Sequence, residues 1–156
     1  MGATIGFRFP EQSVYLDPTR IDEYVTALGI TPEPGWQCAV GQPVPPGFLM
    51  YVTTYGADPV HGEFDIDFRN TVYGGMKCEF RRAARIGETL RVSPYVSDVS
   101  VKTTRSKTLT FIEVTCEYFD EAGELVATES SSTIQTAVNA PSGDDSVDHD
   151  VQGGGS

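Results

Sequence analysis

The chain has 156 residues, 39% of them hydrophobic, and sets 22 acidic against 11 basic side chains for a formal net charge of −11. That length suits one domain of roughly 100–200 residues with a genuine core. The acidic balance argues against nucleic acid and anionic lipid, both of which need clustered Lys and Arg, and no apolar run approaches the ~18 residues of a membrane span. The start, Met1-Gly2-Ala3-Thr4, has no basic-then-apolar signal pattern. Cys38, Cys78 and Cys116 lie far apart, which excludes a CxxC metal knuckle, and their odd number argues against a disulfide framework. A soluble, cytoplasmic, single-domain protein without a metal is the expectation.

In chain order, residues 17–29 predict a helix. Asp17 is a good N-cap, Pro18 fits the first turn and Gly29 suits the left-handed position after the end. Ile21, Tyr24, Val25 and Leu28 recur at the spacing of one buried face. Residues 31–47 hold five prolines and read as loop. Residues 48–56, Phe-Leu-Met-Tyr-Val-Thr-Thr-Tyr-Gly, are apolar nearly all round and read as a short central helix buried on most sides; a buried strand is the competing reading. The second half predicts strands over 76–84, 89–102, 107–119 and 125–137, with turns at 85–88 and 120–124 and Pro94 at a bulge or an edge. From Ala140 the chain has four aspartates, no apolar periodicity and a Gly-Gly-Gly-Ser end. Such a composition does not repay ordering, so a domain over 1–137 and a disordered acidic, Gly-rich tail over 138–156 are expected. One capped helix, one apolar helix and long antiparallel strands make an α+β domain, most simply a long sheet wrapped around the apolar helix.

Four segments carry a family resemblance. The helix Asp17-Pro18-Thr19-Arg20-Ile21-Asp22-Glu23-Tyr24-Val25-Thr26-Ala27-Leu28-Gly29 matches an opening "DPxxIxxYxxALG", and Pro45-Pro46-Gly47-Phe48-Leu49 an "APPTF" entry to a central helix. Tyr73-Gly74-Gly75-Met76-Lys77-Cys78-Glu79-Phe80-Arg81-Arg82 is similar to "HGGQEFEFHRP", followed by Arg85-Ile86-Gly87-Glu88-Thr89-Leu90 for "RVGDxL". The stretch from Glu117 to Thr128 is close to "xYxDxxGELVAT". Over roughly residues 8–137 the chain resembles the MaoC-like hydratase/dehydratase group of the hot-dog fold, in its N-terminal or FAS1-type half. The resemblance implies a hot-dog domain, an acyl-CoA or acyl-carrier thioester as substrate, no further cofactor, and a homodimer or heterodimer with a second hot-dog subunit.

The departures from the family pattern matter as much. Catalytic members carry an Asp and a His after the opening helix, in a pattern like "DxNPxH", and general acid/base chemistry needs such groups within reach of water and substrate. Residues 29–41 here, Gly-Ile-Thr-Pro-Glu-Pro-Gly-Trp-Gln-Cys-Ala-Val-Gly, hold no His, Asp or Asn, and Tyr73 stands where a His precedes the Gly pair. The leading expectation is a non-catalytic partner that shapes an acyl pocket with Trp36, Phe48, Met50 and Tyr55 for a dyad-bearing subunit. Gly74 and Gly75 can bring a backbone N–H to a thioester carbonyl, or simply form a β-bulge. Arg81, in the densest basic run, is a candidate for a coenzyme A or carrier phosphate. The rival expectation is a self-sufficient thioesterase or tailoring enzyme using His61 with Asp65 or Asp67; the plainer reading of these three is a solvated loop and the polar face of a strand. A third is a module that binds acyl thioesters or a hydrophobic small molecule without chemistry.

Overall fold

The structure is a computed structural model that describes residues 3–56 and 68–139. The elements run β1 (Gln12–Tyr15), α1 (Pro18–Ala27), α2 (Pro46–Gly56), a 3-10 turn (Phe68–Asn70), β2 (Thr71–Phe80), β3 (Thr89–Thr103), β4 (Lys107–Phe119) and β5 (Leu125–Val138). The strands form one sheet in the order β1-β3-β4-β5-β2, every pair antiparallel.

α1 starts where its chemistry dictates. The Asp17 carboxylate accepts from the backbone N–H groups of Thr19 (2.8 Å) and Arg20 (3.1 Å), two donors that the first helical turn otherwise leaves unpaired. Ile21 and Val25 are its buried face. α2 enters the core through Phe48, Leu49 and Val52, in one buried cluster with α1 and the sheet. Each such side chain stabilises the fold by about 1.5–3 kcal/mol. Gly47 is required at the crossing of the helices, since a Cβ there would lie 2.5 Å from the Tyr24 hydroxyl. Met50 is half-buried and Tyr51 37% exposed, so over the described side chains, up to Val52, the central helix is covered on one side rather than on most of them.

Cross-strand rows show which sheet face meets the helices. Val92–Tyr118–Ala127–Phe80 and Pro94–Cys116–Glu129–Cys78 are successive rows across β3, β4, β5 and β2, with Val96–Val114–Ser131–Met76 next. Most of these side chains are buried, because period-two alternation sends them all to the core face. On the other face Thr115 donates to Ser97 at 2.9 Å and shares a 2.9 Å hydrogen bond with Ser130, which satisfies a buried hydroxyl. The result is a hot-dog fold, a five-stranded antiparallel sheet with the α2 side chains in the core on one of its faces.

Two sequence expectations about the strands change. The first strand of the second half covers Thr71–Phe80, not 76–84. Past Phe80 the N–H groups of Arg81 and Arg82 both turn to the carbonyl of Val126, and Arg82 pairs with Glu88 and Asp120, so the ladder stops. Pro94 is fully buried inside β3 instead of at an edge; the β3 irregularity falls between Val96 and Asp98, and the Pro94 carbonyl accepts from the Phe9 N–H at 3.0 Å. Cys78, unlike Cys116, is only half-buried; among the described residues β2 has a strand neighbour on one side alone. The short strand β1 was not anticipated.

Candidate functional site

The connection between the helices, residues 28–45, is where the family pattern places its acid/base pair. Here it folds around an indole. The Trp36 N–H donates to the Pro43 carbonyl at 3.0 Å, and its backbone N–H to the Glu33 carbonyl at 3.0 Å. Val25, Ile30, Trp36, Pro43, Pro45 and Pro46 line a mainly apolar cleft of about 300 Å³ at the mouth of α2. That volume is at the lower end of ligand pockets. The titratable side chains of this connection are Glu33, which is exposed, and Cys38. Cys38 donates to the Pro18 carbonyl, and burial together with Asp22 pushes its thiol pKa up. The segment supplies shape and apolar surface.

A second part of the site lies on the sheet. Tyr73, Gly74 and Gly75 sit on β2 against Thr133 and Ser132, with the register slipping between Tyr73 and Gly75. Gly75 has φ +143°, which side chains rarely adopt, and a Cβ on Gly74 would lie 3.1 Å from both Ile134 and Ser132. The Gly pair therefore forms a β-bulge, where one extra residue re-aims the chain. The Tyr73 residue is 61% exposed, while desolvation of its hydroxyl and the charge of Glu129 raise its pKa. The same two causes, in the same order, raise the Cys78 thiol.

Glu129 is the residue that sequence reasoning missed. It is the one charged side chain buried in the described core, 4% exposed, and accepts a 2.7 Å hydrogen bond from the buried Tyr118 hydroxyl. A carboxylate away from water costs several kcal/mol unless hydrogen-bonded, so its position on the core face is a chemical feature and not surface polarity. A signal was present in the sequence: Glu129 has the same strand parity as Ala127, which faces the core.

The sequence-derived candidates divide accordingly. Trp36 lines the cleft, Phe48 is buried against Tyr24 and Tyr51, and Met50 is half-buried. Tyr73, Gly74 and Gly75 lie on β2 opposite Thr133 and Ser132, three to five residues from Cys78, which pairs with Glu129; the charge of Glu129 acts on both Tyr73 and Cys78. Arg81 is exposed just past the far end of β2 from Tyr73, so the two are not brought together. His61, Asp65, Asp67 and the side chain of Tyr55 lie outside the described residues. Among the described residues no three His, Cys, Asp or Glu side chains are placed to hold a metal ion, and no helix is long and apolar enough to cross a membrane.

Against known proteins, the family described as "FAS1-like, dehydratase domain region" matches residues 3–129. The fold superimposes on the C-terminally truncated HadBC (3R-hydroxyacyl-ACP dehydratase) complex from Mycobacterium tuberculosis with a TM-score of 0.64 at 14% identity, covering 83% of this chain and 96% of that one. The ChsH1–ChsH2 complex from the same organism gives 0.63 at 17% identity, covering 86% and 87%. The (R)-hydratase from A. caviae involved in PHA biosynthesis gives 0.58 at 12% identity, covering 83% and 95%. No curated protein matches the chain in sequence.

Proposed function

Because the chain belongs to the FAS1-like dehydratase domain family, we propose that it is a MaoC-like subunit of an (R)-specific enoyl-thioester hydratase or 3-hydroxyacyl-thioester dehydratase, and that it builds the acyl pocket while a second hot-dog subunit brings the Asp/His dyad. In hydration a base takes a proton from water as its oxygen bonds to C3 of the enoyl group, and an acid returns a proton to C2; both groups must stand at hydrogen-bond distance. One observation carries the proposal. The helix-to-helix connection that holds the dyad in catalytic relatives is here an apolar, proline-lined cleft closed over Trp36.

The sheet supports a partner. β2 pairs with β5 on one side, and its other edge has no strand neighbour among the described residues. Val72 and Tyr73 stand 59% and 61% exposed on it. An open ten-residue edge with apolar side chains invites pairing with another chain. Two of the similar folds are themselves complexes, HadBC and ChsH1–ChsH2. The test is hydration of a 2-enoyl-CoA by the purified chain, alone and together with a dyad-bearing hot-dog subunit. Negligible turnover alone and turnover on mixing is the expected result; robust turnover by the chain alone removes the proposal.

A second reading, in which the chain is catalytic by itself, is favoured by Glu129, a buried carboxylate on the core face of the sheet. Its candidates for proton transfer are Glu129 and the sequence-derived set His61, Asp65 and Asp67. Loss of any solo activity in Glu129→Gln or in His61→Ala identifies the group that matters.

A further inference from the structure

The β3–β4 turn concentrates positive charge on this acidic molecule. Lys102, Arg105 and Lys107 lie within six residues there, and all three are exposed. Cross-strand pairing sets Lys102 beside Leu109 and Lys107 beside Val138, on the sheet face of the row Ser100–Phe111–Ile134–Val72, opposite to the core face. On β3 and β4 the nearest acidic side chains of that face are Asp98 and Glu113, which stand opposite each other. They lie four residues along β3 from Lys102, about 13 Å at ~3.3 Å per residue. That exceeds the ~10 Å over which exposed charges interact at about 0.1 M salt.

Other basic side chains are engaged within the protein. Arg82 pairs with Glu88 and Asp120, each at 3.0 Å, and the Arg85 guanidinium donates to the Gly41 carbonyl at 3.3 Å. Lys77 pairs with Glu79, and Arg91 with Glu11. By contrast, Lys102, Arg105 and Lys107 form no ion pair with any described residue; Lys102 lies over the Phe111 ring at 5.3 Å. The turn is also held in place, and the C-terminal segment begins on it. Asn139 donates its backbone N–H to the Ser106 carbonyl (3.0 Å) and its side-chain N–H to the Thr104 carbonyl (2.9 Å), and accepts from the Thr108 hydroxyl (2.8 Å). Thr104 and Lys107 exchange further hydrogen bonds across the turn.

Residues 140–156 carry Asp144, Asp145, Asp148 and Asp150 and no Lys or Arg. Their composition does not repay ordering by apolar burial, which leaves charge as the means of holding them. Asp144 is five residues beyond Asn139, so even an extended chain keeps it within ~18 Å of the pinned residue. Pro141 and Gly143, in between, are turn residues that let the chain double back. So short a tether sets a millimolar local concentration of carboxylate around the cations. We propose that the segment from Asp144 to Asp150 docks on the β3–β4 turn of its own chain, through Lys102, Arg105 and Lys107. Exposed ion pairs are individually weak and screened by salt, so docking depends on several forming at once on a turn whose backbone is already fixed. A docked segment covers a cationic end that otherwise attracts separate acidic partners. Docking of this kind is independent of the acyl-thioester reading.

Amide NMR spectra of the full chain at low ionic strength test it. With Asp144, Asp145, Asp148 and Asp150 all changed to Asn, the amide signals of residues 103–108 should shift, while those of α1 stay in place and report an intact fold. Added salt should produce most of that shift in the parent chain and little in the four-Asn variant. In the reciprocal variant, Arg105→Glu with Lys107→Glu, the heteronuclear NOE of Asp144 to Asp150 should fall. Cleavage before Asp144 by an Asp-specific endoprotease should then quicken at least about three-fold, since it tracks the undocked population. Arg20→Glu on α1, an exposed charge reversal away from the turn, should leave both readouts as in the parent. Turn signals that coincide in the parent and the four-Asn variant overturn the docking, as does a cleavage rate in the double reversal within about 1.5-fold of the parent. Turn shifts that grow with protein concentration place the segment on a neighbouring molecule and overturn docking within one chain.

Discussion

The hydroxyl of Tyr118 on β4 donates a 2.7 Å hydrogen bond to Oε2 of Glu129 on β5, between two side chains that are both out of water. The pair joins diagonal positions across a strand pair whose register sets Tyr118 opposite Ala127 and Glu129 opposite Cys116. A hydrogen bond to a charged group is worth about 1.5–3 kcal/mol, and a buried carboxylate that loses a donor bears the desolvation cost as well. Tyr118→Phe should therefore destabilise the fold by about 1.5–3 kcal/mol, well beyond the loss of one oxygen atom. In a Glu129→Gln background the same substitution should cost about 1 kcal/mol less, because the partner is neutral. Denaturant unfolding of the four proteins of the cycle measures this. Additive effects would mean that the two groups are not coupled.

The charge of Glu129 also reaches Cys78, its cross-strand neighbour on β2. Desolvation first and Glu129 second hold that thiol above its ordinary pKa, so little of the reactive thiolate exists near pH 8. Alkylation of Cys78 by iodoacetamide at pH 8 should be slower than that of a free thiol. Glu129→Gln removes a cause of the upward shift and should accelerate it by bringing the pKa down. The same substitution should lower the titration of Tyr73, read from its ultraviolet absorbance, since Glu129 is a cause there too. Unaltered Cys78 kinetics in the variant would show that the carboxylate carries no charge in the folded protein.

Much of this was legible in the chain. Asp17, Pro18 and Gly29 marked the first helix because capping is local chemistry, and Gly29 indeed has φ +61°. The strands β3, β4 and β5 were legible from alternation. Gly74 and Gly75 left two readings open, a backbone contact to a thioester carbonyl or a β-bulge, and the register has a bulge there. What stayed hidden depends on pairing between distant segments. The ladder ends near Phe80, where Arg82 reaches Asp120, 38 residues on, and the carbonyl of Pro94 inside β3 is paired with the N–H of Phe9, 85 residues earlier in the chain. Glu129 became distinctive only once the rows put it between Cys116 and Cys78.

The Arg82 bridge makes acid stability predictable. Asp120 is held below the ordinary carboxylate range by the Glu124 backbone N–H at 2.9 Å and then by Arg82 at 3.0 Å. A carboxylate whose folded pKa is depressed contributes stability above its unfolded pKa, near 3.9, and loses it as pH falls through the lower folded value. The thermal midpoint should therefore drop between about pH 5 and pH 2. Asp120→Asn should lower the midpoint at neutral pH and flatten that acid limb. Curves for variant and parent that run parallel from neutral pH to pH 2 would show that the turn does not titrate with folding.

Gly47 offers the sharpest packing test, since a Cβ there would lie 2.5 Å from the Tyr24 hydroxyl oxygen and 3.7 Å from the ring carbon that bears it. That oxygen has little room to retreat. The Tyr24 ring stands edge-on to Phe48 at 5.5 Å between centroids and tilted against Tyr51 at 5.4 Å, so displacing it disturbs the contact of α1 with the central helix. Gly47→Ala should cost about 1–3 kcal/mol by overpacking, against the gain of about 0.5–1 kcal/mol that alanine normally brings to a helix. Tyr24→Phe deletes the offending oxygen and leaves an ordinary 3.7 Å contact to ring carbon. The double variant Tyr24→Phe with Gly47→Ala should therefore recover most of the loss, and its unfolding free energy should lie well above the sum of the two single effects. Strict additivity would mean that the helices adjust freely at this crossing, and that Gly47 is there for some reason other than the close approach of Tyr24.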